Sequence, residues 1–141
     1  MIEGISHITL IVKDIERTAH MIEYVLGAKK VYSSGSINFS VSYEKFFLIN
    51  NIWIVLMQGD PIAEKSYNHI AFKIDESEFN TYKKKLQDLG LEIKPSRKRI
   101  PGEGKSIYFY DYDNHLFELH TGTLDERLKV IWNMSKILNI T

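Results

Sequence analysis

The chain has 141 residues, which fits one ordinary domain, and its 18 lysines and arginines balance 18 aspartates and glutamates. This balance disfavours binding of nucleic acid or a membrane surface through bulk charge, and the absence of cysteine excludes disulfides, thiolate metal sites and a thiol nucleophile. A hydrophobic content of 44% can form a core, and neither an export signal nor an apolar run of about 20 residues is recognisable, so we expect a cytoplasmic protein without a membrane span.

The first half of the chain opens with a strand and a helix. Alternating apolar residues predict a strand over residues 4–13, with His7 and Thr9 on the same face. Asp14 then has the position of an N-cap, and apolar residues at helical spacing follow it as far as Gly27. We therefore expect a capped helix that ends at this glycine.

Three short β-rich runs come next, between residues 29 and 58. They read KKVYSS, SINFSVSYEKFFLI and NIWIVLMQ, and Asn50-Asn51 is a predicted turn between the last two. The middle run contains a carboxylate, Glu44. From the residues alone, Glu44 could be a surface carboxylate paired with Lys45.

The same order of signals begins again at His69. The strand HIAFKI leads to Asp75, which with Glu78 is predicted to form a capping box for a helix closed by Gly90. After this helix come a short run, LEIKPS, and a basic loop, RKRIPGEGK. Two β-rich runs around the polar turn Asp111–Asn114 then predict a hairpin.

The two halves thus form an internal repeat of about 62 residues, with modules at about 1–60 and 65–122. Each module is too small to bury a good core alone, so the two must pair, within one chain or between two. A further capping box, Thr123 to Glu126, opens a C-terminal helix predicted over 123–138. We predict an α+β fold in which all 141 residues form a single domain of two paired modules.

The hairpin contains a charged residue, Glu118, between apolar neighbours, and a buried carboxylate needs a partner. His7 and His69 lie at matching places in the two modules, and alignment of the module ends puts Glu118 opposite Val55. A lone strand histidine is more often a core residue than a ligand, but together these three side chains suit a divalent metal. Three protein ligands leave coordination positions open, as a catalytic metal requires.

The two βαβββ units with His7, His69 and Glu118 resemble the vicinal oxygen chelate superfamily, the fold of glyoxalase I and the extradiol dioxygenases. Within it, the chain is similar to the fosfomycin-resistance proteins over nearly its whole length, in the stretches HITLIVKD, YNHIAF and especially GEGKSIYFYDYDNHLFELHTGTL. The run SYEKFFLI around Glu44 resembles the FosX type, which adds water to the epoxide, whereas thiol-transferring relatives lack this acid. The resemblance implies βαβββ modules swapped between the chains of a homodimer, and a Mn(II)-dependent hydrolase that adds water to C1 of fosfomycin and confers resistance.

The same resemblance implies a role for each site residue. His7, His69 and Glu118 would be the metal ligands, and Glu44 would be the general base. One residue of the basic loop, Lys98, is singled out, although its neighbours could substitute for it; Gly102 departs from relatives that have a serine there. The residues implied to bind the phosphonate or line its pocket are Thr9, Tyr67, Lys98, Ser106, Tyr108 and Arg127.

Two other functions remain compatible with this sequence. A thiol transferase would open the same epoxide with glutathione, bacillithiol or cysteine, and Glu44 argues against it. A binding protein would sequester a small anionic compound without chemistry, and the open metal position together with Glu44 argues against that. A nucleic-acid-binding role for the basic loop is disfavoured because the overall charge is zero and no interleaved aromatic residues accompany the loop.

Overall fold

The computed structural model describes residues 1–35 and 42–138. The elements of the first half are β1 (His7–Val12), α1 (Ile15–Leu26), β2 (Lys29–Ser33), β3 (Glu44–Ile49) and β4 (Ile52–Gln58). The elements of the second half are β5 (His69–Lys73), a 3₁₀ turn (Glu76–Glu78), α2 (Phe79–Asp88), β6 (Ile93–Lys94), β7 (Ser106–Tyr110), β8 (Leu116–His120) and α3 (Leu124–Ile137). Within these described residues, no helix is both long and apolar enough to cross a bilayer.

The strands form two four-stranded sheets of the same topology. The first has the order β1-β4-β3-β2 and the second has the order β5-β8-β7-β6. In each sheet the first strand of the module pairs in parallel with the last, and the other pairs are antiparallel. This equivalence confirms the predicted repeat and the α+β fold class.

The strand register confirms the alignment of the two modules. His7 and His69 are the first residues of the equivalent strands β1 and β5. Two residues after these histidines, Thr9 pairs with Val55 of β4 and Ala71 pairs with Glu118 of β8. The structure therefore repeats the backbone, but it places a carboxylate on only one of the two sheets.

The strand predictions for the first half need two adjustments. The predicted strand over 4–13 is shorter, because β1 begins at His7 and residues 4–6 precede it. The predicted run at 36–49 is described only in part, since residues 36–41 lie outside the described residues and β3 begins at Glu44. The turn at Asn50-Asn51 is confirmed, and Asn50 has a positive φ of 53°.

Most of the predicted helix ends are confirmed. The side chain of Asp14 accepts a hydrogen bond from the backbone N–H of Arg17 (3.1 Å), and Gly27 ends α1 with a φ of 65°. At α3, Thr123 and Glu126 form both hydrogen bonds of a capping box. These local signals are strong because side-chain oxygens satisfy N–H groups that have no partner inside the helix.

The predicted capping box of the second helix is wrong. Asp75 accepts hydrogen bonds from the backbone N–H (2.8 Å) and the hydroxyl (2.6 Å) of Ser77, which makes a local turn. The 3₁₀ turn then comes between Asp75 and α2, so that Glu78 precedes the helix and makes no side-chain cap. The helix nevertheless ends as predicted, with Gly90 at a φ of 64°.

The core lies on one face of each sheet. Alternation places the apolar side chains of the strands on the face that packs against α1 and α2, among them Phe47, Phe109 and Phe117, each at most 2% exposed. The opposite faces carry every strand residue predicted for the site: His7, Thr9, Glu44, His69, Ser106, Tyr108 and Glu118. The predicted site residues of the strands therefore lie on the two sheet faces that point away from the core.

The start of β3 is fastened to α1 by one carboxylate. Glu16 of α1 accepts hydrogen bonds from the hydroxyl of Tyr43 (3.0 Å) and from the ammonium of Lys45 (2.7 Å). These two residues flank Glu44 and point to the helix side of the sheet, so Glu44 points to the other side. The hydrogen bond from Lys45, followed by that from Tyr43, holds the pKa of Glu16 below its ordinary value.

Substitution of Glu16 by Gln is expected to destabilise the protein by about 1 kcal/mol at neutral pH, because the carboxylate of Glu16 is exposed but the ammonium of Lys45 that it pairs with is buried. Because the folded-state pKa of Glu16 is lowered, this stabilisation is complete above the ordinary value of 4.5 and is lost as the pH falls through the lowered value. Urea unfolding at neutral pH and at about pH 3 measures the effect. The same substitution at the exposed Glu23 of α1 is the control, and an equal Glu16 effect at both pH values would contradict the assignment.

Candidate active site

The second sheet contains a buried carboxylate, Glu118, which is 7% exposed on the face away from the core. Its Oε2 lies 2.9 Å from Nε2 of His69, and its Oε1 accepts a hydrogen bond of 2.5 Å from the hydroxyl of Ser106. The other ring nitrogen of His69, Nδ1, lies 2.7 Å from the carbonyl oxygen of Tyr67. A carbonyl only accepts, so Nδ1 carries a proton and Nε2 faces the carboxylate.

The electrostatic environment keeps Glu118 ionised. Burial raises the pKa of its carboxyl group, but hydrogen bonds from Ser106 and Tyr108 and the proximity of His120 and His69 outweigh burial, so the pKa lies below the ordinary value. Burial, Tyr67 and the Glu118 charge raise the pKa of Tyr108 to about 12, which keeps its hydroxyl protonated as a hydrogen-bond donor. The site thus presents a carboxylate surrounded by donors.

A guanidinium that the sequence did not single out completes this cluster. Nη2 of Arg99 donates to the hydroxyls of Ser106 (2.7 Å) and Tyr108 (3.2 Å), and it lies 3.6 Å from Oε1 of Glu118. Its Nε is buried and has no hydrogen-bond partner within the described part of the chain. A buried donor without a partner suits an anionic ligand.

The basic residue chosen from the sequence, Lys98, lies elsewhere. It is exposed, and its carbonyl oxygen accepts from Arg97 at 3.3 Å. The sequence contains three consecutive basic residues, Arg97, Lys98 and Arg99, and gave no means of choosing among them. It indicated only that Arg97 and Arg99 would share one side of an extended segment and Lys98 would lie on the other. In the structure it is Arg99 that faces Glu118, and its side chain is 18% exposed, compared with 51% for Arg97.

Three other residues implied by the resemblance lie near Glu118. Ser106 and Tyr108 are buried on β7 beside Glu118. Tyr67 is exposed, but its ring lies 5.0 Å from that of His69 and 5.9 Å from that of Tyr108. Together they form an aromatic and hydroxyl-bearing wall next to the carboxylate.

Arg127 is placed differently. It lies on α3, and its guanidinium forms an ion pair with Glu103, a buried carboxylate of the basic loop. The nearby Gly102, at the position where some relatives have serine, has a φ of 88°, and a Cβ there would lie 3.1 Å from the side chain of Val130. This position therefore disfavours any side chain, including one that bears a hydroxyl.

The remaining predicted residues lie on the first sheet. The ring of His7 packs 4.5 Å from that of Trp53, and its Nδ1 lies 3.1 Å from the hydroxyl of Ser6. Thr9 is exposed on the same face. Glu44 is half-buried at the start of β3, and its backbone N–H donates to the hydroxyl of Ser34 (3.1 Å).

The predicted metal ligands therefore lie on two different sheets of one chain, His7 on the first and His69 and Glu118 on the second. Among the described residues of a single chain, no three histidine or carboxylate side chains come close enough to hold a metal together. His69 and Glu118 nevertheless fit a divalent cation, since Nε2 turned to a carboxylate with Nδ1 held by a carbonyl is the arrangement of a metal-binding histidine. Imidazole and carboxylate donors suit a hard or borderline ion such as Mn(II).

The fold and this site define the class of protein. The chain belongs to the glyoxalase/bleomycin resistance protein/dioxygenase superfamily, whose family model matches residues 4–119. It is 59% identical to the fosfomycin resistance protein FosX of Mesorhizobium japonicum, over 91% of this chain and 92% of that protein. It is 38% identical to the metallothiol transferase FosB of Shouchella clausii, over 91% of this chain and 86% of that protein.

Solved structures show the same likeness. The chain superimposes with a TM-score of 0.85 on a mutant of FosX from Listeria monocytogenes, at 53% identity and covering 93% of this chain and 99% of that chain. That crystal structure is a complex with Mn(II) and 1S,2S-dihydroxypropylphosphonic acid. The recognised resemblance to the FosX type is thereby confirmed.

Proposed function

We propose that this protein is a Mn(II)-dependent hydrolase that adds water to C1 of the fosfomycin epoxide, gives a diol and so confers fosfomycin resistance. The observation that carries the proposal is the buried Glu118 carboxylate between the imidazole of His69 and the guanidinium of Arg99. Its surroundings provide for both a divalent cation and a phosphonate. The FosX relatives, at 57–59% identity against 38% for FosB, and the carboxylate of Glu44 favour water over a thiol as the nucleophile.

His7, His69 and Glu118 would hold the cation. When bound, Mn(II) supplies Lewis acidity toward the epoxide oxygen. The hydrogen bond of His69 Nδ1 to the Tyr67 carbonyl fixes the ring so that Nε2 is available as a donor atom (2.7 Å). The lowered pKa of Glu118 keeps its carboxylate ready to bind a cation.

Arg99, Ser106 and Tyr108 would bind the phosphonate. A guanidinium matches the spacing of phosphonate oxygens, and the two hydroxyls add neutral donors next to it. Tyr67 and Thr9 would line the pocket, and Lys98 would contribute positive charge from its rim, whereas the guanidinium of Arg127 is paired with Glu103. We therefore assign the main cationic contact to the phosphonate, which the sequence analysis gave to Lys98, to Arg99. The contacts of Arg99 with Ser106 and Tyr108 support this assignment.

Glu44 would act as the general base. Its carboxylate takes a proton from a water molecule, whose oxygen forms a bond to C1 from the side opposite the epoxide oxygen. The C1–O bond of the epoxide breaks, and the oxygen that leaves C1 takes up a proton to become the second hydroxyl. The product is a diol with inverted configuration at C1.

The working unit is proposed to be a homodimer with sites shared between the chains. Two features support this: His7, Thr9 and His69 are exposed on the sheet faces that carry the site residues, and His69 and Glu118 lack a third ligand among the described residues of one chain. The first sheet of a second copy would bring His7, Thr9 and Glu44 over the second sheet of the first copy. Each of the two sites would then contain residues from both chains, in a cytoplasmic enzyme.

Chelator-treated protein incubated with fosfomycin, with and without added Mn(II) and thiol, tests the proposal. Phosphorus NMR should show a diol product that requires the metal and is independent of thiol. A thiol adduct formed with glutathione, bacillithiol or cysteine would indicate a transferase instead. Binding without any product would indicate a protein that only sequesters the compound.

Substitution of Arg99 by Ala is expected to raise the KM for fosfomycin by about 10- to 100-fold, because a charge-assisted contact to the phosphonate is lost. Lys98→Ala should change KM by less than about threefold if the assignment to Arg99 is right. Lys105→Ala, which removes another exposed cation of the same loop, is the control. A larger effect at Lys98 than at Arg99 would restore the assignment made from the sequence.

A further inference from the structure

The basic loop between β6 and β7 is built around a buried carboxylate that the proposed chemistry does not use. The side chain of Glu103 is 3% exposed, and its two oxygens accept hydrogen bonds from the two terminal nitrogens of Arg97, each 3.1 Å long. Oε2 also accepts from the backbone N–H of Ile100 (2.9 Å). A carboxylate so enclosed and so fully bonded fixes the conformation of the segment around it.

The same carboxylate joins the loop to the last helix, since it forms an ion pair with Arg127 of α3. The backbone is equally constrained at this point. A Cβ on Gly104 would lie 2.7 Å from the backbone nitrogen of Gly122, and a Cβ on Gly122 would lie 2.9 Å from the carbonyl oxygen of Glu103. The loop therefore rests directly on the link between β8 and α3, and glycine is needed on both sides of the contact.

This arrangement determines where Arg99 points. Arg99 lies between Arg97 and Ile100, both of which are bonded to Glu103, so the backbone on either side of it is held. Glu103 also forms ion pairs with both Arg97 and Arg127. Arg99 is the guanidinium of this cluster that contacts Ser106 and Tyr108. Arg97 and Arg127 therefore bind Glu103, and Arg99 points toward Ser106 and Tyr108.

We propose that Glu103 is a positioning residue for anion binding: it orders the basic loop so that the guanidinium of Arg99 is preorganised for the substrate phosphonate. This inference rests on the proposed function for the identity of the anion. Preorganisation lowers the ordering cost of binding, so the loss of Glu103 should weaken binding of the anion more than it slows the chemical step.

Glu103→Gln tests the inference, because it keeps the shape of the side chain and removes its charge. We expect KM for fosfomycin to rise by about tenfold while kcat changes by less than about threefold. Sulfate binding to the metal-free protein, measured by calorimetry, should weaken by a similar factor. The matched control is Glu76→Gln, which removes an exposed carboxylate paired with Lys105 (2.9 Å) near the same loop and should leave both quantities unchanged.

A double-mutant cycle separates positioning from a general structural role. If Glu103 acts through Arg99, Glu103→Gln should add little to the effect of Arg99→Ala on sulfate affinity. Additive effects, or a lowered melting temperature with unchanged sulfate affinity, would overturn the inference. If Glu103→Gln does not fold, Glu103→Asp retains the charge but withdraws it by one methylene, and it should weaken sulfate binding to an intermediate degree.

The two proposals fail in different ways. A wild-type protein that does not hydrate fosfomycin would refute the proposed function, while the sulfate measurements would still decide the role of Glu103. A wild-type protein that hydrates fosfomycin, with a Glu103→Gln variant of unchanged KM and unchanged sulfate affinity, would refute the positioning role alone.

Discussion

Glu44→Gln is expected to lower kcat for fosfomycin hydration by about 10²- to 10⁴-fold, the usual contribution of a general base. The amide cannot accept the proton of the attacking water, although it has nearly the same shape as the carboxylate. Mn(II) affinity and the KM for fosfomycin should change little, because Glu44 is neither a proposed metal ligand nor a phosphonate contact. Phosphorus NMR of diol formation measures the rate.

The control for this experiment is Glu23→Gln, at an exposed carboxylate of α1. Undiminished hydration by the Glu44 variant would remove Glu44 from the mechanism. An inactive variant that has also lost Mn(II) would show instead that Glu44 supports the metal site. Since Tyr43 and Lys45 on either side of Glu44 are anchored to Glu16, the substitution should leave the strand in place.

His7→Ala and Glu118→Gln are each expected to abolish Mn(II)-dependent hydration, yet a refolded equal mixture of the two should regain about one quarter of wild-type activity. The reason is that half of the dimers would be mixed, and each mixed dimer would have one site free of both lesions and one site carrying both. This outcome requires that His7 and Glu118 of one chain serve different sites. Hydration rate and bound Mn(II) per dimer are the measurements.

A mixture of His69→Ala with Glu118→Gln provides the matched control. These two residues lie 2.9 Å apart in the same chain, so every site of a mixed dimer would carry one of the two lesions. No activity should return. Recovery in this control, or its absence in the first mixture, would contradict the proposed sharing of sites between chains.

Local signals in the sequence predicted most of the fold. Cap residues such as Asp14 and Thr123 satisfy backbone groups within a few positions, so their role can be read without knowledge of the tertiary structure. The capping box predicted at Asp75 was wrong because Asp75 accepts hydrogen bonds from Ser77, two residues further on. This local turn uses the same residue types as a helix cap. The repeat was visible because each half has a strand that contains a histidine, then a helix that ends at a glycine, then further strands.

The candidate site was predictable where strands determine it and not where a loop does. His69, Ser106, Tyr108 and Glu118 share a sheet face, and alternation along strands fixes that face. The choice of Arg99 over Lys98 depends on the path of the basic loop. That path is set by the buried Glu103, whose contacts join residues distant in sequence, so composition alone could not reveal it.

Val55 is apolar and lies at the position equivalent to Glu118, so the two walls of the proposed dimer site differ chemically although the backbone of the two modules is repeated. In the proposed site, cation ligation and anion binding would be concentrated on the wall formed by the second sheet, while the proton acceptor would lie on the wall formed by the first. A bound phosphonate would consequently have a single productive orientation, with its charged end toward one subunit and its reactive carbon toward the other.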